Sequence, residues 1–360
     1  MAKRQADDDE TVLAKAAKSG RITMSDVAAA AGVAQSTVSR ILNDAAVPIP
    51  VSDETRKRVQ TAARELGYRP NPFARALRGA PSMLLGTIVR DITDPFFAGA
   101  IDALSLAFKA RGYSVVLGHA RSLEDEALAL TAVLESRQCD AIVLLGDFTA
   151  EHRLLEDLAH TNARVVGLWY GARTNVPFPT VGVDNDAGVL SALEHLWSLG
   201  HRRIGYIGAV SHGDLQERLD AYRNFMQARL GTVDEGLIQL VADSLSPAGG
   251  ALAALRAVET PPTAVLTATD MIALGVLHAA NEFDVSIPRD LSVVGFDDIL
   301  MAKIGVPALT TVRMPISEIV AAGVDMCLGP NASANQTDAP HIVLEPSLVV
   351  RKSSAPPASH

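Results

Sequence analysis

Past Met83 the chain repeats one pattern. A short run of β-branched and aliphatic residues is followed by a longer stretch with apolar positions three and four apart. The runs are Leu84–Asp91, Tyr113–His119, Asp140–Leu145, Arg164–Trp169, Thr180–Val183, Arg203–Ile207, Leu237–Val241, Ala264–Thr267 and Leu291–Phe296. Runs apolar at successive positions bury both faces, and helical spacers carry the chain back to start a parallel neighbour. With right-handed crossovers this predicts an α/β architecture, and the length allows two such sheets. Thr310–Met314 and Ile342–Val350 come late and predict extra strands or crossings between two lobes.

Ahead of Met83 the spacing is helical only. Thr23 is a good N-cap, Asp26 sits in the first turn, and Val27, Ala28 and Ala31 make an apolar face. Gly32 permits a left-handed turn and Val33 plugs the space behind it. Gln35 to Leu42 then form a second helix with Val38, Ile41 and Leu42 inward, leaving Gln35, Ser36, Ser39 and Arg40 outward. An amide, hydroxyls and one Arg on a free helix face suit the DNA major groove: amides and Arg read base edges, and hydroxyls hold phosphates. An ordinary helical hairpin is the plainer alternative. Ser52 caps a third helix with Asp53 and Glu54 in its first turn; Val59, Ala62, Ala63 and Leu66 form its stripe and Gly67 ends it. Asn71 and Pro72 then start a two-turn segment closed by Gly79, too short to be stable alone in water.

These residues resemble the lactose/galactose-repressor family of bacterial transcription regulators. The resemblance rests on Asp26-Val27-Ala28, Ala31-Gly32-Val33, Thr37-Val38-Ser39-Arg40, Asn43, Thr55-Arg56, Leu66-Gly67-Tyr68-Arg69-Pro70-Asn71 and Ala74-Arg75-Ala76-Leu77. It implies operator-DNA contacts at Thr23, Gln35, Ser36, Thr37, Ser39, Arg40, Asn43, Tyr68, Asn71, Ala74, Arg75 and Leu77. It also implies that the two-turn segment is a hinge helix, paired across a homodimer in the minor groove, with Leu77 as an apolar wedge that kinks the DNA. Two departures stand out. Ala34 replaces a common capping Ser, and the loop from Asn43 to Ser52, with Pro48-Ile49-Pro50, is a few residues longer than usual.

Charge sharpens the division. The 360 residues carry a formal net charge of -9, yet Arg21 to Gly79 holds nine basic and five acidic residues. Met1 to Gly20 is balanced at four and four, and the remainder has 19 basic against 32 acidic. A basic N-terminal module on an acidic body keeps phosphate on the module. The two cysteines, Cys139 and Cys327, lie far apart in apolar or helical stretches and are expected as buried thiols, which suits a reducing cytoplasm. Met1 to Gly20 has no signal-peptide pattern, and no apolar run approaches the roughly 20 residues of a membrane span. The nine histidines show no metal-type pairing, so no metal and no cofactor are expected.

The body resembles both the effector domain of that family and periplasmic sugar-binding proteins. In both, three strands cross between two lobes and a small ligand sits in the cleft. The crossings would fall near Val183, Arg313 and His341–Leu344. Open α/β sheets bind ligands beyond the carboxyl ends of their strands, so those ends supply the candidates. Asp94 and Phe96 follow the first strand, with Phe97 expected in the core; an aromatic beside carboxylates suits a sugar face and its edge. Trp169 ends another strand, either as an exposed platform at the cleft mouth or as a buried spacer. Asp184 and Asn185 follow the first crossing strand, and Thr269 takes a cleft position ahead of Asp270, which is expected to cap a helix. The resemblance adds Arg218 as a ligand clamp, in Glu217-Arg218-Leu219-Asp220-Ala221-Tyr222 with Ala221 in place of Gly, and Asp297 in Gly295-Phe296-Asp297-Asp298. Met314 stands where many sugar-responsive members carry a polar residue.

The expected organisation is a flexible tail (1–21), a helix-turn-helix headpiece (22–70) and a hinge helix with linker (71–82). A two-lobed effector-binding and dimerisation domain (83–351) and a flexible tail (352–360) follow. Lobe 1 takes about 83–182 and 314–341, and lobe 2 about 183–313 and 342–351. The implied function is a regulator, a repressor in the first instance, controlled by a sugar. The alternatives are a corepressor-dependent regulator answering a nucleobase or other metabolite, and a solute-binding protein, which should have an export signal and no headpiece. No Gly-x-Ser-x-Gly elbow, no Gly-x-x-x-x-Gly-Lys loop and no metal set suggests an enzyme.

Overall fold

The computed structural model describes residues 22–42, 51–68, 81–120, 129–134, 139–148, 152–160, 163–173, 175–329 and 340–358. The 1–21 tail, the 43–50 loop, and Asn43, Asn71, Ala74, Arg75 and Leu77 with their hinge helix lie outside the described residues. The chain divides into two compact units, 1–80 and 81–360.

The first unit contains helices α1 (Met24–Ala31), α2 (Gln35–Leu42) and α3 (Asp53–Glu65). Thr23 and Asp26 form a reciprocal capping box, which satisfies backbone donors that a bare helix start leaves open. Gly32 adopts φ 62° and reverses the chain. Ser52 caps α3 through the Thr55 N–H. Val27, Ala28, Ala31, Val38, Ile41, Val59, Ala62 and Ala63 make one small core, against which Val33, Leu42, Leu66 and Tyr68 pack. At Ala34 only the carbonyl serves the start of α2, accepting from the Thr37 and Val38 N–H groups.

The second unit is built on two six-stranded sheets. The first runs in the order β11-β5-β4-β3-β1-β2, with β1 (Leu84–Val89), β2 (Ser114–His119), β3 (Ala141–Leu145), β4 (Arg164–Gly171), β5 (Thr180–Val183) and β11 (His341–Leu344) all parallel. The second runs β12-β10-β9-β8-β6-β7, with β6 (Ile204–Gly208), β7 (Ile238–Leu240), β8 (Ala264–Thr267), β9 (Ser292–Asp297) and β10 (Thr310–Arg313) parallel and β12 (Ser347–Val349) antiparallel. The strands β3, β5, β6, β8 and β9 are buried at every position, as two helical layers require. The second strand departs from that expectation: β2 is a sheet edge, and Val116 and Leu117 are exposed.

Three segments cross between sheets: after β5, after β10, and between β11 and β12. The third crossing falls at 345–346, so the whole of His341–Leu344 belongs to lobe 1 and the expected division at 341/342 cuts a strand. The C-terminal segment is also not a free tail as far as it is described. Ser353 is fully buried; its hydroxyl donates to the Val293 carbonyl at 2.6 Å and accepts from the Thr310 N–H at 2.8 Å. Its carbonyl accepts from the Val293 N–H at 2.8 Å, so 352–355 extends the second sheet's hydrogen bonding beyond β12.

Candidate functional site

The carboxyl ends of both sheets face one cleft. From lobe 1 come Arg90, directly after β1, then Asp94, Phe96 and Phe97 at the start of helix α4 (Pro95–Lys109), Gly146 after β3 and Trp169 in β4. From lobe 2 come Asp214, Leu215 and Arg218 on helix α5 (Gly213–Leu230), Thr269 after β8 and Asp297 at the end of β9; Met314 lies on a crossing segment. Together they line a tight pocket with about 20 Å3 of free space. A wider outer compartment shares Arg90 and Asp94 and adds Asp243.

Arg218 is held in a fixed orientation. Its Nε donates to Asn185 Oδ1 at 2.9 Å and one Nη to the Ala268 carbonyl at 2.6 Å. The guanidinium lies 3.8 Å above the Phe296 ring, 3.5 Å from Asp297 and 4.0 Å from Asp214. Asn185 in turn donates to Glu217 at 2.8 Å, and Glu217 accepts the Ala172 and Arg173 N–H groups of lobe 1 at 3.1 and 2.7 Å. Asn185 is therefore a positioning residue behind Arg218, not part of the cleft wall. Asp184 is not brought to the cleft either: its side chain caps helix α6 (Asn185–Ser198) through the Ala187 N–H.

Trp169 takes the buried of its two expected placements. It is 3% exposed, not an open platform. It sits at φ 64° where the pairing of β4 with β5 shifts register between Leu168 and Tyr170. Such an irregularity re-aims a side chain, and here it sets the indole edge-on against Phe96 at 5.6 Å. The Trp169 Nε1 is buried with no hydrogen-bond partner among the described residues. Phe97, read as core, is buried and also floors the cleft under the Arg90 guanidinium at 5.3 Å. Gly146, at φ 96°, completes that floor; a Cβ there would meet Phe97 at 2.8 Å and Arg90 at 3.0 Å.

The carboxyl groups are strongly perturbed. Burial pushes Asp94 up to about 6, against the pull of the Phe96 N–H that it caps. Burial likewise raises Asp243, whose partner is the Thr269 hydroxyl at 2.8 Å, and holds Asp297 well above the usual range despite Arg218. Burial also pushes Asp214 up, but Arg90 and Arg218 outweigh it and leave this carboxyl below its ordinary value. Thr269, not Asp270, caps helix α7 (Asp270–Glu282); Asp270 is buried and accepts from the Ile299 N–H and the Thr311 hydroxyl. Arg90, Asp214 and Asp243 were missed as site residues, although Arg90 directly follows β1 and Asp243 comes three residues after β7, where the strand-end rule reaches them. Among the described residues no cluster of His, Cys, Asp or Glu could hold a metal, and no helix is long and apolar enough to cross a membrane.

On the first unit, Gln35, Ser36 and Arg40 are exposed on one face of α2, and Thr37 and Ser39 are half-buried beside them. Thr23 is exposed next to this face but its hydroxyl is engaged with Asp26 at 2.7 Å. Tyr68 is half-buried against the small core. Arg56, Lys57, Arg58 and Arg64 are exposed on α3.

Residues 23–71 match the model of bacterial regulatory proteins of the lacI family, and 193–354 match a periplasmic binding protein-like domain. The HTH-type transcriptional repressor CytR of Escherichia coli is 33% identical over 298 residues, 82% of this chain and 86% of that protein. The HTH-type transcriptional regulator MalR of Streptomyces coelicolor is 35% identical over 347 residues, 92% of this chain and 96% of that protein. Among solved structures, the lac repressor dimer bound to operator and the anti-inducer ONPF matches with a TM-score of 0.80 at 26% identity, over 93% of this chain and 99% of that one. The transcriptional regulator CelR in complex with cellobiose matches with a TM-score of 0.65 at 28% identity, over 92% and 100%. With relatives of this similarity across both units, the chain belongs to the lacI family of bacterial regulatory proteins and is a DNA-binding transcriptional regulator.

Proposed function

We propose that this chain is a homodimeric repressor whose operator affinity is lowered by a sugar bound between the lobes. The observation that carries the reading is Arg218: a planar donor fork, fixed by Asn185 and Ala268, faces Asp297 in a cleft that also holds Phe96. A fork of this kind grips carboxylates or vicinal hydroxyls. A ligand touching Asp94 and Phe96 on one lobe and Arg218 and Asp297 on the other favours one lobe angle. Because the hinge segments lead into lobe 1 in the chain, that angle would set their spacing across the dimer, and ligand and operator affinities become coupled in both directions.

Dimerisation follows from the reading helix, which covers only a short half-site and so calls for a two-fold partner. The test combines thermal shift with DNA mobility. Purified protein is screened against sugars, sugar phosphates and nucleobases, and each compound that raises the melting temperature is added to a complex with a DNA fragment selected by the protein itself. Release of DNA by a sugar is expected. A nucleobase that raises the melting temperature and tightens DNA binding would replace this reading with that of a corepressor-dependent regulator.

A further inference from the structure

The polar atoms of the cleft are unevenly matched. Its two guanidiniums are engaged: Arg218 with Asn185, Ala268 and two carboxylates, and Arg90 with Asp214 at 3.1 Å. Two of its carboxylates are only half used. Asp94 gives one oxygen to the Phe96 N–H, and Asp243 gives one to the Thr269 hydroxyl. Their second oxygens have no hydrogen bond among the described residues, although a carboxylate can accept about four. The open demand is therefore for donors, and it comes from both lobes.

We infer that the cleft selects an uncharged, polyhydroxylated ligand and rejects the anionic derivative of the same molecule, with Asp94 of lobe 1 and Asp243 of lobe 2 as the carboxylates that read it. The inference rests on the cleft being the effector site and narrows the effector's chemistry. Hydroxyls donate to the open carboxylate oxygens. An ionised phosphate or carboxylate on the ligand cannot donate to them, and it adds negative charge where Asp94, Asp214 and Asp243 already outnumber two arginines. In a partly desolvated site that repulsion is poorly screened. The outer compartment repeats the chemistry: Asp91, Thr93, Ser211, Asp243 and Ser244 line it, and burial with the nearby Arg90 lowers His212 to about 4 and keeps it neutral. A second sugar ring would meet the same acceptor-rich surroundings there.

The test is titration calorimetry on the full-length protein at pH 7.5. The probes are glucose, ribose, maltose and cellobiose, the phosphate esters glucose 6-phosphate and ribose 5-phosphate, and adenine. At least one neutral sugar should bind, and a phosphate ester should bind at least 30-fold more weakly than its neutral parent. In Asp243→Asn, which keeps size and an acceptor, the neutral sugar should weaken several-fold and the ratio against the ester should shrink at least three-fold. An ester that binds as tightly as its parent overturns the inference and leaves the effector site standing. Binding of adenine alone, or of no probe, overturns both. A ratio unchanged in a folded Asp243→Asn removes Asp243 from ligand reading.

Discussion

Arg90 and Asp214 stand on different lobes, 124 residues apart in the chain, and meet at 3.1 Å with both side chains almost fully buried. Arg90 leaves the end of β1 and Asp214 sits in the first turn of α5, so the pair ties the first strand of one lobe to the helix that carries Arg218 in the other. A buried pair is weak evidence of net stabilisation, because desolvation opposes the attraction. Removing one partner is different, since it leaves the other charge uncompensated.

Arg90→Ala is therefore expected to cost about 3–5 kcal/mol of stability, read from urea unfolding at pH 7.5. Asp214 would retain only Arg218 at 4.0 Å. Arg90→Met combined with Asp214→Leu should recover most of the loss, because no buried charge is stranded. A single variant within about 1 kcal/mol of the parent, below the cost of stranding a buried charge, would mean that the pair does not hold the lobes.

The C-terminal segment gives a second expectation. Ser353→Ala keeps the backbone path but removes the hydroxyl that bridges the Thr310 N–H and the Val293 carbonyl. Two buried hydrogen bonds are lost, at about 0.5–1.5 kcal/mol each, again read from urea unfolding. No change would show that water replaces the hydroxyl.

Much of this was readable from the residues, for physical reasons that differ by element. Strands buried on both faces leave an apolar run that nothing else explains, so β3, β8 and β9 fell where expected. The headpiece was legible because capping and turn chemistry are local: Thr23 with Asp26, and Gly32 at φ 62°. The residues alone leave Trp169 open between platform and buried spacer, because its burial depends on a register shift against β5, which no periodicity reports. Asp184 and Asn185 both follow a strand, yet one caps a helix and the other props Arg218; the choice lies in backbone geometry. The Arg90–Asp214 pair needs two lobes brought together and has no local signature at all.

On the DNA-facing unit, the shared exposed face of Gln35, Ser36 and Arg40 motivates a specificity test. Arg40→Ala should cost about 1–3 kcal/mol of discrimination at one base position, the worth of a bidentate base contact. Binding to a selected DNA fragment and to random DNA, measured at one salt concentration, separates the roles. An equal loss on both would assign Arg40 to phosphate.

The last expectation concerns pH and follows from Asp94. Burial raises its carboxyl to about 6; the Phe96 N–H and Arg90 oppose that rise, and Asp243 and Asp91 reinforce it. The sign for stability is fixed by proton counts. Between the unfolded value near 3.8 and about 6, the folded chain holds a proton that the unfolded chain has lost. The Asp94 share of stability is therefore full below about 4, falls as pH rises to about 6, and is flat above. Ligand binding has the opposite sense. A hydroxyl donating to Asp94 favours the ionised form, so binding a neutral sugar near pH 6 releases protons, and affinity rises from pH 5 to pH 7 by at most about tenfold per unit for one proton. Of the other groups facing the cleft, Asp243 is also raised by burial, His212 is lowered to about 4, and Asp297 is held well above the carboxylate range. Calorimetry at pH 6 in two buffers of different ionisation enthalpy reads the proton directly. Asp94→Asn, which still caps α4, should reduce the release and flatten the profile, Asp243 supplying what remains. Proton uptake in the parent protein would mean that the ligand brings negative charge to Asp94, the reverse of the donor-rich molecule inferred above.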